Sequence, residues 1–258
     1  MNSLKKIFRK VIPKDNRLYA LLSSIYHYRF WKPRETNRFE KILQAFNGYK
    51  CGGVFFIQIG SNDGLHGDPI CELVKKNKWH GILVEPITEI FEKLRHNYRE
   101  NNGDLMFENI AISGNKTGVN EFYSVSNEDN ALPEWVNQLS SFDKNVILKH
   151  AEYHPEIIDR IVVKHIRTDS FENMVQRNRV QTIDLIHIDT EGYDFEILKQ
   201  IDIEKYQPGI IIYEHKHLDE KDYKSSISLL KENRYKLFMH NGDTLAVHCD
   251  LASMIKIS

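Results

Sequence analysis

Cysteine is scarce. The 258 residues hold three, Cys51, Cys71 and Cys249, and no pair has C-x-x-C spacing. Three reduced thiols in a cytoplasmic protein are the simplest reading. No apolar run is long enough to span a membrane. The N-terminus has no uninterrupted apolar stretch and no small-residue cleavage site, so it does not read as a secretory signal. Net charge is nearly absent, at −1, and the chain as a whole has no nucleic-acid signature. One glycine is also missing where a dinucleotide fold needs it. In Gly60-Ser61-Asn62-Asp63-Gly64, Asn62 stands at the second glycine of G-x-G-x-x-G, so a pyrophosphate would fit poorly. There is no internal repeat and no low-complexity segment.

What is present starts with an uneven charge. Residues 1–50 carry 12 Lys and Arg against 3 Asp and Glu, while the rest carries 23 against 33. The first 50 residues therefore read as a basic helical extension, and residues 51–258 as one α/β domain with a sizeable core. Hydrophobic content of 41% and charged content of 28% are ordinary for a globular chain. In Leu4–Ile12, apolar residues alternate helically with Lys5, Lys6, Arg9 and Lys10, and Pro13 ends the segment. Such a helix either packs on the body of the protein or lies on the inner face of a membrane. Leu18–Trp31 and Phe39–Phe46 read as helices of the extension.

The chain is organised around residues 54–86. Val54–Ile59 suits a strand buried on both faces. The glycine loop follows, and its two glycines would let the backbone approach a ligand closely. Asp68-Pro69 starts a helix, with Asp68 as its cap. Gly81–Val84 is a second strand, ending in Glu85-Pro86. Strand, loop, helix, strand and terminal acid form a nucleotide-binding unit. A carboxylate at Glu85 can accept two hydrogen bonds from a ribose diol. Adenosine without a pyrophosphate, as in S-adenosylmethionine (SAM), suits this loop better than a dinucleotide.

Further along, Thr88 caps a helix running to about Arg99, and Gly103 ends it. Leu105–Ser113 reads as a third strand followed by a turn, and Asn120–Val125 as a fourth-layer or edge strand. Residues 126–160 read as an irregular, substrate-facing insertion. Ile161–Ile166 is a strand, followed by a helix capped by Asp169, with Glu172 completing a capping box. Ile183–Ile188 and Pro208–Tyr213 are buried strands, and Asp219 caps the helix after them. Asn241-Gly242 between Tyr235–Met239 and Thr244–His248 signals a hairpin. This pattern describes a Rossmann-like class I methyltransferase fold: a mostly parallel seven-stranded sheet with a C-terminal antiparallel hairpin. A dehydrogenase would end in parallel strands.

The segments IGSNDG, LVEP, NIAIS, DLIHIDTEGYDFEILKQID and IIIYEHKH, in that order, resemble FkbM-type methyltransferases over about residues 54–248. The resemblance implies a SAM-dependent enzyme, in many members an O-methyltransferase acting on sugar hydroxyls. Gln58 stands where many class I enzymes carry an acid that meets the amino acid portion of SAM.

Ligands of open α/β sheets bind outside the carboxyl ends of the strands. That rule places Gln58, Gly60, Ser61, Asn62, Asp63, Gly64, Glu85, Pro86, Glu108, Asn109, Ile110 and Asp189 around SAM, with Asn109 or Glu108 toward adenine. It makes Asp189, Glu191, Glu214, His215 and His217 the candidates for taking the proton of an acceptor hydroxyl. Asp189, Glu191 and Glu214 could hold Mg2+. The preferred reading is metal-free, with Asp189 and Glu191 holding the loop and the SAM amino group. The expected acceptor is a sugar or glycan, a surface polysaccharide or glycolipid precursor. The alternatives are a non-sugar small molecule, or a SAM-fold protein that binds a glycan or partner without transferring methyl groups. An acidic main domain argues against nucleic acid.

Overall fold

The computed structural model describes residues 36–65, 68–101, 105–114, 117–127, 129, 131–151 and 154–257. The readings of Leu4–Ile12, Leu18–Trp31 and Gly103 lie outside these residues. The chain divides into two compact units, residues 1–40 and 41–258. The described part of the first is the opening of helix α1 (Thr36–Tyr49). In the second unit, α1 buries Ile42, Leu43 and Phe46, and Phe46 sits edge-on to Trp79.

The main sheet follows from the apolar runs. β1 (Phe55–Ile59) pairs in parallel with β2 (His80–Val84), and β2 with β3 (Leu105–Glu108). Two helices serve these strands: α2 (Cys71–Asn77), between β1 and β2, and α3 (Thr88–Asn97), between β2 and β3. The third strand ends sooner than the sequence implies. The run LMFENIAIS breaks at Asn109, and its second half, β4 (Ala111–Ile112), joins another sheet. The expected capping by Thr88 also fails, because its hydroxyl donates to Asn109 Oδ1 instead. Helix α2 starts two residues later than Asp68-Pro69 implies, with Ile70 at the N-cap position, but Asp68 still closes its start, its Oδ1 accepting from the Ile70 and Cys71 amides.

The second sheet joins β4, β5 (Gly118–Val125), β6 (Ser140–Ser141) and β7 (Ile161–Asp169) in the order β4-β7-β5-β6. β5 is thus an interior strand, not an edge. The insertion is more ordered than its polar composition implies. It holds a 3-10 turn at Glu134–Gln138, helix α4 (Lys144–His150) and a second 3-10 turn at Pro155–Arg160. Leu132, Val136, Leu139, Ile147 and Ile157, spread through it, close on Val125 as a small core.

Helix α5 (Phe171–Arg177) is capped by Ser170, not by Asp169. The shorter Ser170 side chain reaches the Asn173 amide, while Asp169 pairs with Arg177. β8 (Leu185–Ile188) lies beside β1, followed by α6 (Asp194–Leu198), α7 (Ile203–Tyr206) and β9 (Ile210–Glu214). Helix α8 (Glu220–Glu232) begins at its Asp219 cap. β10 (Tyr235–His240) and β11 (Asp243–His248) form the expected hairpin, with positive φ at both Asn241 and Gly242, as a type I′ turn requires. Helix α9 (Cys249–Met254) follows. The strand order is β10-β11-β9-β8-β1-β2-β3, with the two C-terminal strands antiparallel. This is the class I methyltransferase arrangement.

Candidate active site

Chain order in the sheet reverses at β1, between β2 and β8, and a cleft opens at the carboxyl ends of these strands. It is lined by Gln58, Gly60, Ser61, Asn62, Glu85, Pro86, Ile110, Asp189 and Glu191 among the expected residues. Asp63, Gly64, Glu108, Asn109, Glu214, His215 and His217 do not line it.

The loop after β1 is held by side chains. Ser61 Oγ donates to the Gln58 carbonyl and accepts from the Val84 amide, tying β1 to β2. Asn62 takes a left-handed conformation, φ 47°, which asparagine tolerates. That turn aims its amide at Glu85 Oε2, at 3.0 Å. Glu85 Oε1 accepts from the Ile87 amide at 2.9 Å. Glu85 is 4% exposed, and burial pushes its carboxyl up to about 7, against the pull of those two amides. Each of its oxygens keeps a lone pair, so a diol in the cleft completes the set.

The glycines answer to the protein. A Cβ on Gly60 would stand 1.8 Å from the Asp189 carbonyl oxygen, where β1 and β8 converge. A Cβ on Gly64 would meet the Tyr98 ring at 2.4 Å. Both have positive φ. Each glycine makes room for protein, Gly60 for the chain leaving β8 and Gly64 for the end of helix α3, while Gly60 also lines the cleft and Gly64 does not. Asp63 turns back on its own loop and accepts from the Leu65 amide.

Two acceptors in the cleft wall lack partners. Gln58, 1% exposed, donates its amide N–H to His187 Nδ1, leaving Oε1 buried and unpaired. Burial holds His187 below its ordinary value, so the ring is neutral and can accept there. Asp68 lines the same cleft with its Oδ2 unpaired, its Oδ1 spent on the helix cap. Two unpaired acceptors in one cleft suit an ammonium group, and Glu85 suits a ribose. Ile110, Ile112 and Phe122 supply an apolar wall for a base. These residues fit SAM. The sequence reading took Asp68 only as a cap, because that role is local and the cleft is not.

The polar adenine contacts expected of Glu108 and Asn109 are not in the cleft. Glu108 is held by Arg177 and Asn178. Asn109 donates to the carbonyls of Glu85 and Pro86. Glu108 ties β3 to the end of helix α5, and Asn109 braces the loop after β2.

On the other side, Asp189-Thr190-Glu191-Gly192 turns out of β8. Asp194, fully buried, fastens this turn: Oδ2 accepts from the Thr190 hydroxyl at 3.0 Å and the Gly192 amide at 3.2 Å. Its Oδ1 accepts from the Glu214 amide, joining β8 to β9. Burial, reinforced by Glu214, pushes Asp194 up to about 8. Asp194 lay in the IDTEGYDFEIL segment but was not among the expected site residues. Its spacing to Thr190 and Gly192 was the available signal.

Glu191 reaches out of the cleft toward His217, with 2.9 Å between Oε2 and Nε2. Burial acts to raise Glu191, but His217, Lys216 and His150 leave it below its ordinary value. Asp189 is raised well above the carboxylate range by burial and by Glu214, Asp194 and Glu191. Glu214, raised mainly by burial and by Glu191, pairs with Lys216. His215 is placed apart, with Nδ1 on Thr244 Oγ1 and its ring beside Tyr223. The insertion supplies what the sequence reading missed: Gln138, Ser140 and Phe142 at the cleft wall and His150 beside His217.

Residues 58–237 match the Methyltransferase FkbM domain. Among curated proteins, none matches. Among solved structures, the chain is similar to an O-methyltransferase from Bacillus cereus in complex with SAH, at 12% identity over 95% of this chain and 96% of that one, TM-score 0.44. It is similar to a methyltransferase from Geobacter sulfurreducens, at 9% identity over 96% and 97%, TM-score 0.43. It is also similar to a ribosomal protein L11 methylase from Lactobacillus delbrueckii subsp. bulgaricus, at 10% identity over 80% and 74%, TM-score 0.37. With the family match spanning most of the domain, the chain belongs to the FkbM methyltransferase family and is a SAM-dependent methyltransferase.

Proposed function

We propose that this methyltransferase acts on oxygen, on a hydroxyl of a sugar or glycan. SAM, when bound, supplies a methyl group on a sulfonium, a reactive electrophile with a good leaving group. The chain's task is to place the acceptor and remove its proton. Glu85 holds the ribose, and Gln58 Oε1 with Asp68 Oδ2 the ammonium. Asp189 and Glu191, at the inner end of the acceptor side, are the nearest bases to the cleft.

The observation that carries the sugar reading is Trp135. It is 39% exposed and its ring lies 5.6 Å from those of both His150 and His154. His150 in turn neighbours His217, which meets Glu191 at the cleft. An exposed indole next to two imidazoles is a surface on which a sugar ring stacks its C–H face while its hydroxyls reach the polar groups. Incubation with labelled SAM and a panel of sugar nucleotides, oligosaccharides and lipid-linked glycans tests this. Label on a glycan hydroxyl supports it; label only on non-sugar small molecules overturns it.

We also propose that residues 1–50 act as a separate basic extension, and that Leu4–Ile12 bring the enzyme reversibly to an anionic membrane surface, where lipid-carried glycans are built. Each Lys or Arg there would contribute about 1 kcal/mol near the surface. Among the described residues, no helix is long and apolar enough to cross a membrane. The full chain should float with anionic vesicles at low salt, and a chain starting at Pro13 should not. Equal flotation of the two overturns this.

A further inference from the structure

His150, Glu191 and His217 bring three potential ligand atoms within 4.8 Å of one another, and so do Asp189, Glu191 and Glu214. Glu191 belongs to both sets. The atoms that face inward are short of hydrogen bonds. His150 Nε2, His217 Nε2, Glu191 Oε2 and Glu214 Oε2 are all buried, and none has an aligned hydrogen-bond partner. His217 Nε2 stands 2.9 Å from Glu191 Oε2 and 3.7 Å from Glu214 Oε2, close but not aimed along an N–H bond. The Glu214 side chain is only 7% exposed, and Lys216 takes its other oxygen. The two sets thus share Glu191, and each contains buried atoms without an aligned hydrogen-bond partner.

We infer that His150, His217 and Glu191, with Glu214 beside them, form a binding site for a divalent transition-metal ion at the acceptor side of the cleft. Two imidazoles and carboxylate oxygens suit Zn2+, Mn2+, Fe2+ or Co2+, whereas Mg2+ favours an all-oxygen, largely hydrated shell. Ligand bonds to such an ion are about 2.0–2.2 Å, so the cluster closes on it by small side-chain rotations. The site uses residues from three separated segments: α4 of the insertion, the turn after β8 and the loop after β9. Asp189 remains at the cleft wall. If the acceptor is a hydroxyl, as proposed above, an ion here would bind it and make it more acidic. That role rests on the O-methyl reading; the binding of the ion does not.

The test uses the full chain, freed of metal with a chelator and titrated with Co2+ alone. The account expects one Co2+ per chain, visible absorption bands of a nitrogen- and oxygen-ligated ion, and displacement by Zn2+. His150→Ala and His217→Ala should each weaken binding by more than about 100-fold, since loss of a supporting contact alone costs 10–100-fold. His150 stands at the end of a half-exposed surface helix, so His150→Ala is the variant that keeps its fold, which thermal unfolding checks. No bands in the wild-type chain at millimolar Co2+, or unchanged bands in folded His150→Ala, would overturn the site. Because no acceptor or SAM is present, these results do not depend on what the enzyme methylates.

Discussion

The two walls of the cleft are built differently. The SAM wall is made of side chains fixed to backbone within 35 residues of one another: Glu85 on the Asn62 and Ile87 amides, Asp68 on the Ile70 and Cys71 amides, Ser61 between β1 and β2. The acceptor wall meets the cleft at Glu191 and is backed outside it by side chains from distant segments, His150, Glu214 and His217, with unpaired atoms between them. The first is preorganised before any ligand arrives. The second keeps its polar atoms free for ligands. A buried carboxylate tied to amides is held in one geometry, while an unpaired cluster is costly unless something completes it.

That contrast can be broken by substitution. The largest effect is expected where the two walls meet. Gly60→Ala forces a Cβ onto the Asp189 backbone at positive φ and should cost at least about 4 kcal/mol or prevent folding, read by urea denaturation. Next is Asp194→Ala. It strands the Thr190 hydroxyl and the Gly192 and Glu214 amides and should cost about 3 kcal/mol, with transfer lost and SAM affinity altered less.

The pH response sharpens the contrast further. Glu85 is raised to about 7 in the folded chain, above its unfolded value, so the folded state holds the extra proton between about 4.5 and 7. Its contribution to the stability of the ligand-free protein is therefore present at low pH and falls as pH rises through that window, by about 3 kcal/mol in all. SAM affinity should move the opposite way. With the ribose held by the carboxylate, as proposed, the Kd should weaken about tenfold per pH unit below 7 and level off above it. A Kd flat from pH 5.5 to 8 would remove Glu85 from the ribose. The smallest effect is Trp135→Ala, expected to raise the acceptor KM several-fold, about 1 kcal/mol, with the SAM Kd unchanged.

The same contrast explains what the sequence made legible. The SAM wall is local: IGSNDG, the Asp68 cap and Glu85 lie in one strand-helix-strand unit, where periodicity and terminal acids point to one edge. Alternating strands and helices, with Asn241-Gly242, led to the correct sheet. Two kinds of error came from long-range contacts. Glu108 and Asn109 stand at the right strand end, yet Arg177, Asn178 and the Glu85 carbonyl claim them. His150 and Trp135 sit in a polar stretch with no period, in a segment that folds around the core of Leu132, Val136, Leu139, Ile147 and Ile157, where they neighbour each other and His150 neighbours His217.

The most direct measurement is calorimetry of S-adenosylhomocysteine binding to wild type, Glu85→Ala and His217→Ala under one set of conditions. Removing Glu85 deletes one or two charge-assisted hydrogen bonds, about 1.5–3 kcal/mol each, so affinity should fall at least about tenfold. His217→Ala, on the acceptor wall, should bind as wild type does. Unchanged affinity in a folded Glu85→Ala protein, or an equal loss in His217→Ala, would contradict a cofactor wall that is centred on Glu85 and independent of the acceptor wall.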